Sequence, residues 1–215
     1  MGERWYVHPM NERFRHDFKV DEPGTTTAAE GMRRRAFTVA EVEAMVQAGI
    51  IPEHERFELI GGEVVPMSPK GSTHENVKIE VIAGLLRVAP PDLRIAPETT
   101  LRLDDISFLE PDFCVFPRSV SLDRLRGPDV LLAIEVSDTS LHYDTGRKIG
   151  IYAAYGIAEV WVIDAKRLVT RVHRVLGVDG YREVFEMAAG EDLVCTRRAE
   201  IRLNLSALGL APTSE

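Results

Sequence analysis

The stretch "LLAIEVSDTS" at residues 131–140 begins as an apolar run that carries one acid, Glu135. A short run of this kind predicts a strand that is buried on both faces, as the central strands of a sheet are. A carboxylate in such a strand is costly to bury unless a cation compensates its charge. The stretch therefore predicts either a buried ion pair or a metal site at Glu135.

A second acid lies upstream in "EPDFCVF" at 110–116, where Asp112 begins another apolar strand pattern. For one such acid, an ion pair with arginine or a helix cap is the more common role. Two acids on apolar strands favour a site for Mg²⁺, which takes one or two carboxylates together with water and phosphate oxygens. The phosphodiester-cleaving version of this site also needs a cation, normally a lysine two residues after the second acid. This chain has Ser137 there.

The helix predicted from "TGRKIGIYAAYG" at 145–156 offers a lysine in its place. Asp144, Lys148 and Tyr152 are spaced four residues apart and would share one helix face. A helix that packs back on the strand it has left can return Lys148 to the end of that strand. The alternative is a surface pair between Asp144 and Lys148, and Tyr152 is expected in the core.

The surrounding sequence predicts helices that alternate with strands. Capping boxes at Thr38 and Glu41, and at Ser72 and Glu75, predict the starts of two helices. Strands are predicted at 57–60 and 63–67 across a Gly-Gly turn, over "LRIAPETTLRL" at 93–103, in "AEVWVID" at 158–164, and as an edge hairpin near 168–187. Together these elements predict an α/β (α+β) fold around one central mixed sheet flanked by helices.

Residues 1–35 lack periodicity and end in a linker-like Pro-Gly-Thr-Thr-Thr stretch, so we expect an extension, flexible or docked on a partner, before a domain at 36–212. The chain has 26 basic and 34 acidic residues, a net charge of −8. Such a chain does not coat nucleic acid by long-range attraction alone, although a bound metal reverses the local sign. With no apolar signal core and no stretch as long as a membrane span, we expect a cytoplasmic protein with no membrane partner.

The segments "FELIGGEVVPMSPKGSTHENV", "EPDFCVF" and "LLAIEVSDTSLHYDTGRKIGIYAAYGIAEVWVID" resemble the Uma-type restriction endonuclease family, formerly a domain of unknown function. The resemblance covers roughly residues 36–205 in order and spacing. It implies a restriction-endonuclease-like fold of the PD-(D/E)xK nuclease superfamily. In that family the lysine is commonly displaced to the following helix, which implies Lys148. The family usually has Ser-Pro after the strand glutamate, where this chain has Ser137-Asp138.

The resemblance also implies roles by position. Asp112 and Glu135 would ligate Mg²⁺, for which Mn²⁺ could substitute, with the backbone carbonyl of Val136 as a third oxygen. Lys148 would orient or activate the attacking water. Glu58 would complete the metal shell, or it would form only a salt bridge at the hairpin.

Several basic residues are candidate phosphate contacts: Lys70, His74, Lys78 and Arg147. A lone histidine is more often structural. The function expected is a Mg²⁺-dependent endonuclease acting on DNA, with RNA left open, and a homodimer is expected by analogy with the superfamily. The alternative is a catalytically silent nuclease-like module that binds or regulates. The chain has no GxSxG elbow, no P-loop and no HExxH motif, so other hydrolase classes have little support.

Overall fold

The computed structural model describes residues 25–27, 33–138 and 146–212. The helices are α1 (Val39–Gln47), α2 (Ser72–Val88) and α3 (Arg147–Ala154), with short 3₁₀ helices at Leu122–Arg124, Gly127–Asp129 and Ser206–Leu208. The strands are β1 (Thr25–Thr27), β2 (Arg33–Arg35), β3 (Phe57–Ile60), β4 (Glu63–Pro66), β5 (Leu93–Pro97), β6 (Leu101–Arg102), β7 (Phe108–Leu109), β8 (Phe113–Pro117), β9 (Leu132–Ser137), β10 (Val160–Asp164), β11 (Thr170–Gly177), β12 (Gly180–Met187), β13 (Leu193–Val194) and β14 (Arg202–Leu203).

The main sheet has six strands in the order β12-β11-β10-β9-β8-β5. Strands β9 and β10 run parallel, and the other neighbours in this sheet are antiparallel. Helix α3 lies in the connection between the two parallel strands, as a parallel crossover requires. Every residue of β9 is buried, so the apolar run correctly predicted a central strand. The expected mixed sheet flanked by helices is thereby confirmed.

The two faces of this sheet are covered by different helices. One hydrophobic cluster joins Leu85 of α2 to Ile134 of β9. A second cluster joins Tyr152 of α3 to Ala133 of β9. Because successive strand residues point to opposite faces, Glu135 points to the same face as Ala133, which α3 covers.

A second sheet of four strands, in the order β4-β3-β7-β6, corrects the prediction of a single sheet. The segment predicted as one strand at 93–103 is divided between the two sheets as β5 and β6. The division follows Pro97, at Glu98, whose backbone φ of +46° lies in the left-handed region. The N–H of Glu98 donates to the carbonyl of Asp112 at 3.1 Å, which holds this turn beside β8.

Of the two predicted capping boxes, the structure contains one. Thr38 Oγ1 accepts from the N–H of Glu41, whose carboxylate accepts from the N–H of Thr38. The second box, of Ser72 and Glu75, was wrong because α2 begins at Ser72 itself after Gly71, which has no side chain to cap the helix.

The part of 1–35 that the structure describes is a pair of short antiparallel strands. Thr25–Thr27 pairs with Arg33–Arg35 in antiparallel register, so the linker prediction was wrong for these threonines. Threonine is β-branched and suits an extended backbone. The rest of the predicted extension lies outside the described residues.

A buried carboxylate ties the C-terminal part of the chain to the sheet. Glu159, just before β10, accepts from the indole N–H of Trp161 at 2.7 Å and from the backbone N–H of Thr196 at 2.8 Å. Trp161 is itself completely buried. Within the described residues, no helix combines the length and the apolar character that crossing a membrane requires.

Candidate active site

A pocket of about 400 Å³ lies where the end of β9 meets the N-terminal parts of α2 and α3. It is lined by residues that the sequence singled out and by others: Glu58, Lys70, His74, Glu110, Asp112, Glu135, Val136, Asp138 and Lys148. Five of the side chains are carboxylates and two are lysines, which leaves an excess of three negative charges when His74 is neutral. Such a pocket favours the binding of a cation.

Asp112 and Glu135 line the same pocket, Asp112 from the residue before β8 and Glu135 from within β9. Phe113 pairs with Ile134 in the antiparallel register of β8 and β9. Asp112 immediately precedes Phe113, and Glu135 immediately follows Ile134, so the two acids flank this pair. Both residues are buried. The backbone N–H of Val136 donates to Asp112 Oδ2 at 2.8 Å, which fixes one carboxylate on the backbone that carries the other.

Lys148 reaches Glu135 and Glu58 from α3. Its Nζ lies 2.9 Å from Glu135 Oε1 and 2.9 Å from Glu58 Oε1. All three side chains are buried, so the ammonium compensates two carboxylates that would otherwise be costly to bury. The helix thus brings a lysine to the end of the strand that precedes it, whereas Asp144, the other candidate partner of Lys148, lies outside the described residues.

Tyr152 contributes a contact that the sequence analysis missed. It is completely buried in the core, as expected, and its hydroxyl also donates to the Glu135 carboxylate. Burial and the nearby charges of Glu135 and Glu58 raise the pKa of Tyr152 well above its ordinary value. The hydroxyl therefore remains a donor. The signal in the sequence was the four-residue spacing that places Tyr152 on the same helix face as Lys148.

Asp112 is held by two basic side chains. Lys70 Nζ lies 2.9 Å from Oδ1, and His74 Nε2 lies 3.3 Å from Oδ2. Burial alone would raise the pKa of Asp112, but the hydrogen bond with His74 and the charge of Lys70 outweigh it and hold the pKa well below its usual value. Asp112 is therefore ionised at neutral pH.

The four candidate phosphate contacts differ in their position relative to the pocket. Lys70 and His74 line the pocket. Lys78 lies next to it, with Nζ 3.7 Å from Asp112 Oδ1. Arg147 is exposed at the first position of α3 and is not part of the pocket wall.

Three further acids were given no role from the sequence: Glu110 and Asp138 line the pocket, and Glu98 lies beside it. The backbone N–H of Glu110, which lines the pocket, donates to Glu58 Oε1 at 3.1 Å. Glu98 accepts hydrogen bonds from both Lys70 and Lys78. Burial would raise the pKa of Glu98, but the two lysines lower it to about 2. The role of Glu98 was not evident from the sequence, because the residues on either side of it favour an uninterrupted strand.

The donors that the pocket offers to a metal ion are mostly oxygen atoms, with the imidazole of His74 beside them. In the described ranges no group of three or more His, Cys, Asp and Glu side chains is close enough to hold a metal. The carboxylates of Asp112 and Glu135 and the backbone carbonyl of Val136 remain, in a pocket with excess negative charge. Two carboxylates and a carbonyl suit a hard ion such as Mg²⁺, which retains several waters. The residues present therefore fit Mg²⁺.

Comparison with protein families identifies one matching family. Its description is "Uma2: Putative restriction endonuclease", and the match covers residues 39–206 of this chain. That range includes all the pocket residues named above.

Comparison with solved structures adds a similar fold. The crystal structure of a putative nuclease belonging to DUF820 from Anabaena variabilis ATCC 29413 superposes with a TM-score of 0.58. The match covers 72% of this chain and 89% of that chain, at 17% sequence identity. A likeness at this identity indicates a shared fold. No curated protein matches the chain.

Proposed function

The chain belongs to the Uma2 family of putative restriction endonucleases, and from that membership we propose that it is an endonuclease that hydrolyses phosphodiester bonds of DNA. The observation that carries the proposal is the position of Lys148, which contacts Glu58 and Glu135 in the pocket that also contains Asp112. Two acids and a lysine around one pocket are the groups that this hydrolysis needs.

In this proposal Asp112, Glu135 and the carbonyl of Val136 hold Mg²⁺, or Mn²⁺ in its place. A bound divalent ion supplies Lewis acidity and makes a bound water more acidic. Ionised Asp112 is suited to this role, because a protonated carboxyl would lose most of its attraction for a cation. Glu58 shares Lys148 with Glu135, and so it sets the position of the lysine.

The chain's own residues contribute orientation and charge. Lys148 supplies a fixed positive charge at the place where negative charge would develop on the phosphate. Tyr152 holds the Glu135 carboxylate by its hydroxyl, and Lys70 and His74 hold Asp112. Because all these groups are already hydrogen-bonded in place, little reorganisation would accompany the reaction.

One observation favours the alternative of a silent nuclease-like module. The pocket wall has an excess of negative charge, and the whole chain has a net charge of −8, so long-range attraction does not draw phosphate to the pocket. In that case the acids and Lys148 would form a buried ion network with a structural role.

The test combines metal binding with cleavage. Mn²⁺ is titrated calorimetrically into the wild type, Asp112→Asn, Lys148→Met and Glu183→Gln, an exposed acid on β12 that serves as the control. The same proteins are incubated with supercoiled plasmid DNA and Mn²⁺, with an RNA substrate in parallel. We expect the wild type and Glu183→Gln to bind Mn²⁺ and nick the plasmid. Asp112→Asn should lose both properties.

Lys148→Met separates binding from chemistry. We expect it to retain Mn²⁺ binding and to nick the plasmid about 100-fold more slowly, because one preorganised charge is removed. Circular dichroism establishes that the variants are folded. A folded wild type that neither binds Mn²⁺ nor cuts either substrate would contradict the proposal and favour the silent module.

A further inference from the structure

Three cations converge on one oxygen of Glu98 beside the pocket. Arg56 Nη1 lies 3.4 Å from Glu98 Oε1, and the ammonium groups of Lys70 and Lys78 contact the same atom. An isolated ion pair needs one cation. Several charged donors around one oxygen are typical of the way proteins bind a phosphate group.

Glu98 and Arg56 are the outer members of this cluster. Their side chains are 39% and 37% exposed, whereas those of Lys70 and Lys78 are 14% and 9% exposed. A ligand from solvent would therefore meet Glu98 and Arg56 before the lysines and could displace the carboxylate without opening the core. The left-handed backbone of Glu98 is rarely adopted by residues other than glycine, and such conformations are common at functional sites.

The cations would remain in place if Glu98 moved away. Each of them also contacts at least one other carboxylate. These contacts are Arg56 with Glu110 at 3.3 Å, Lys70 with Asp112 at 2.9 Å, and Lys78 with Glu75 at 3.4 Å. Within the described ranges, Glu98 is the acid that pairs with all three cations, and its carboxylate lies at their common centre.

We propose that Arg56, Lys70 and Lys78 form a binding site for a backbone phosphate of the nucleic acid, and that Glu98 occupies this site until the substrate arrives. A phosphodiester carries one negative charge, as a carboxylate does, so the exchange leaves the charge balance of the cluster unchanged. Lys70 contacts both Glu98 and Asp112. A phosphate at this position would therefore lie one side chain away from the proposed catalytic acids, next to the phosphate that is cleaved.

This inference rests on the proposed function for its substrate, but binding can be measured without cleavage. The probe is a fluorescein-labelled DNA duplex of about 20 base pairs, followed by anisotropy in EDTA over a series of KCl concentrations. Glu98→Gln removes the internal competitor, and we expect it to bind the duplex about tenfold more tightly than the wild type. The control is Glu183→Gln, which removes one acid from an exposed pair with Arg174 and should leave affinity nearly unchanged.

Substitution of the cations tests the site independently of Glu98. Lys78→Gln should weaken binding and reduce the slope of log affinity against log salt by about 1, because one phosphate contact is lost. If Glu98→Gln does not fold, Lys78→Gln and Arg56→Gln test the site alone, and unchanged slopes in both would overturn the inference.

The outcomes separate this inference from the proposed function. Affinity that is unchanged or weaker in Glu98→Gln, or raised equally in Glu183→Gln, overturns the inference even if the wild type cleaves DNA. Tighter binding by Glu98→Gln alone supports it, even if the wild type cuts no DNA with Mn²⁺ and the nuclease proposal fails.

Discussion

Lys148 is shared by two buried acids, and this sharing determines what its removal would do. Its contacts with Glu58 and Glu135 are equal in length, at 2.9 Å, and neither acid is open to solvent. A buried ion network of this kind contributes little net stability, because desolvation offsets attraction. Breaking it on one side is costly, because an uncompensated charge then remains buried.

Lys148→Met should therefore lower the free energy of unfolding by about 3–5 kcal/mol, measured by urea denaturation at pH 7. Glu135→Gln should cost less, because Lys148 keeps its contact with Glu58. The double variant should lose less stability than the sum of the two single losses, because both single variants remove the same interaction. Strict additivity would mean that Lys148 and Glu135 do not interact in solution.

Two tyrosines allow a hydrogen bond to a charged acceptor to be compared with a hydrogen bond to a neutral acceptor. Tyr152 donates to a carboxylate, whereas Tyr181 donates to the backbone carbonyl of Ile157 at 2.8 Å. Bonds to charged acceptors are the stronger class, so Tyr152→Phe should lower the unfolding free energy by about 1.5–3 kcal/mol and Tyr181→Phe by about 0.5–1.5 kcal/mol. Equal losses in urea denaturation would indicate that Tyr152 does not support Glu135.

At the scale of elements, the strands and helices that have a clear local pattern of residues could be predicted from the sequence. Strand β9 was evident from its apolar run, and α3 from its spacing and the glycine that ends it. The break at Glu98 was not evident, because a left-handed glutamate is held there by contacts distant in sequence. For the same reason, the local pattern indicated Asp112, Glu135 and Lys148 as candidates but not the contacts of Glu98.

The turn between β3 and β4 requires glycine for two reasons. Gly62 has a φ of +83°, and a Cβ there would lie 2.6 Å from Ala36 Cβ. Gly49, after α1, has a φ of +69° but open space around it. Gly49→Ala should cost about 1 kcal/mol of stability from backbone strain alone. Gly62→Ala should cost about 3 kcal/mol, since the clash adds to the strain; similar thermal midpoints for the two variants would contradict this.

Strand β11 contains a histidine that should make stability depend on pH. Burial, and to a lesser extent the charge of Arg171, lowers the pKa of His173 from 6.5 to about 4. The unfolded chain therefore takes up the proton first as pH falls. The titration of His173 costs no stability above pH 6.5. As the pH falls from 6.5 towards 4, it lowers the free energy of unfolding by about 3 kcal/mol in all.

His173→Phe keeps a ring beside Tyr181 and removes the titration. Urea denaturation between pH 7 and 4 should then show a shallower loss of stability than in the wild type. The exposed His54, changed to Gln, is the control and should leave the slope unaltered. A slope in His173→Phe that equals the wild-type slope would assign the pH dependence to other groups.

For the whole molecule, the edge of the main sheet is the surface that we propose for dimerisation. Strand β12 lies at that edge, and Val178 and Val184 of the β11–β12 hairpin are 71% and 43% exposed. Open edges with exposed apolar side chains readily pair with another chain. We expect light scattering to give the mass of a dimer for the wild type and of a monomer for Val184→Lys. A monomeric wild type at micromolar concentration would exclude this assembly.

The carboxylate of Glu159 gives the molecule an internal optical reporter. Trp161 is one of two tryptophans in the chain, and Trp5 is the other, so Trp5→Phe leaves a single fluorophore. The indole of that fluorophore and the backbone of Thr196 are bound to the same carboxylate. Detachment of the C-terminal segment would change the polarity around the indole before the sheet itself opens. Fluorescence emission from Trp161 therefore distinguishes detachment of the C-terminal segment from global unfolding in each of the stability measurements above.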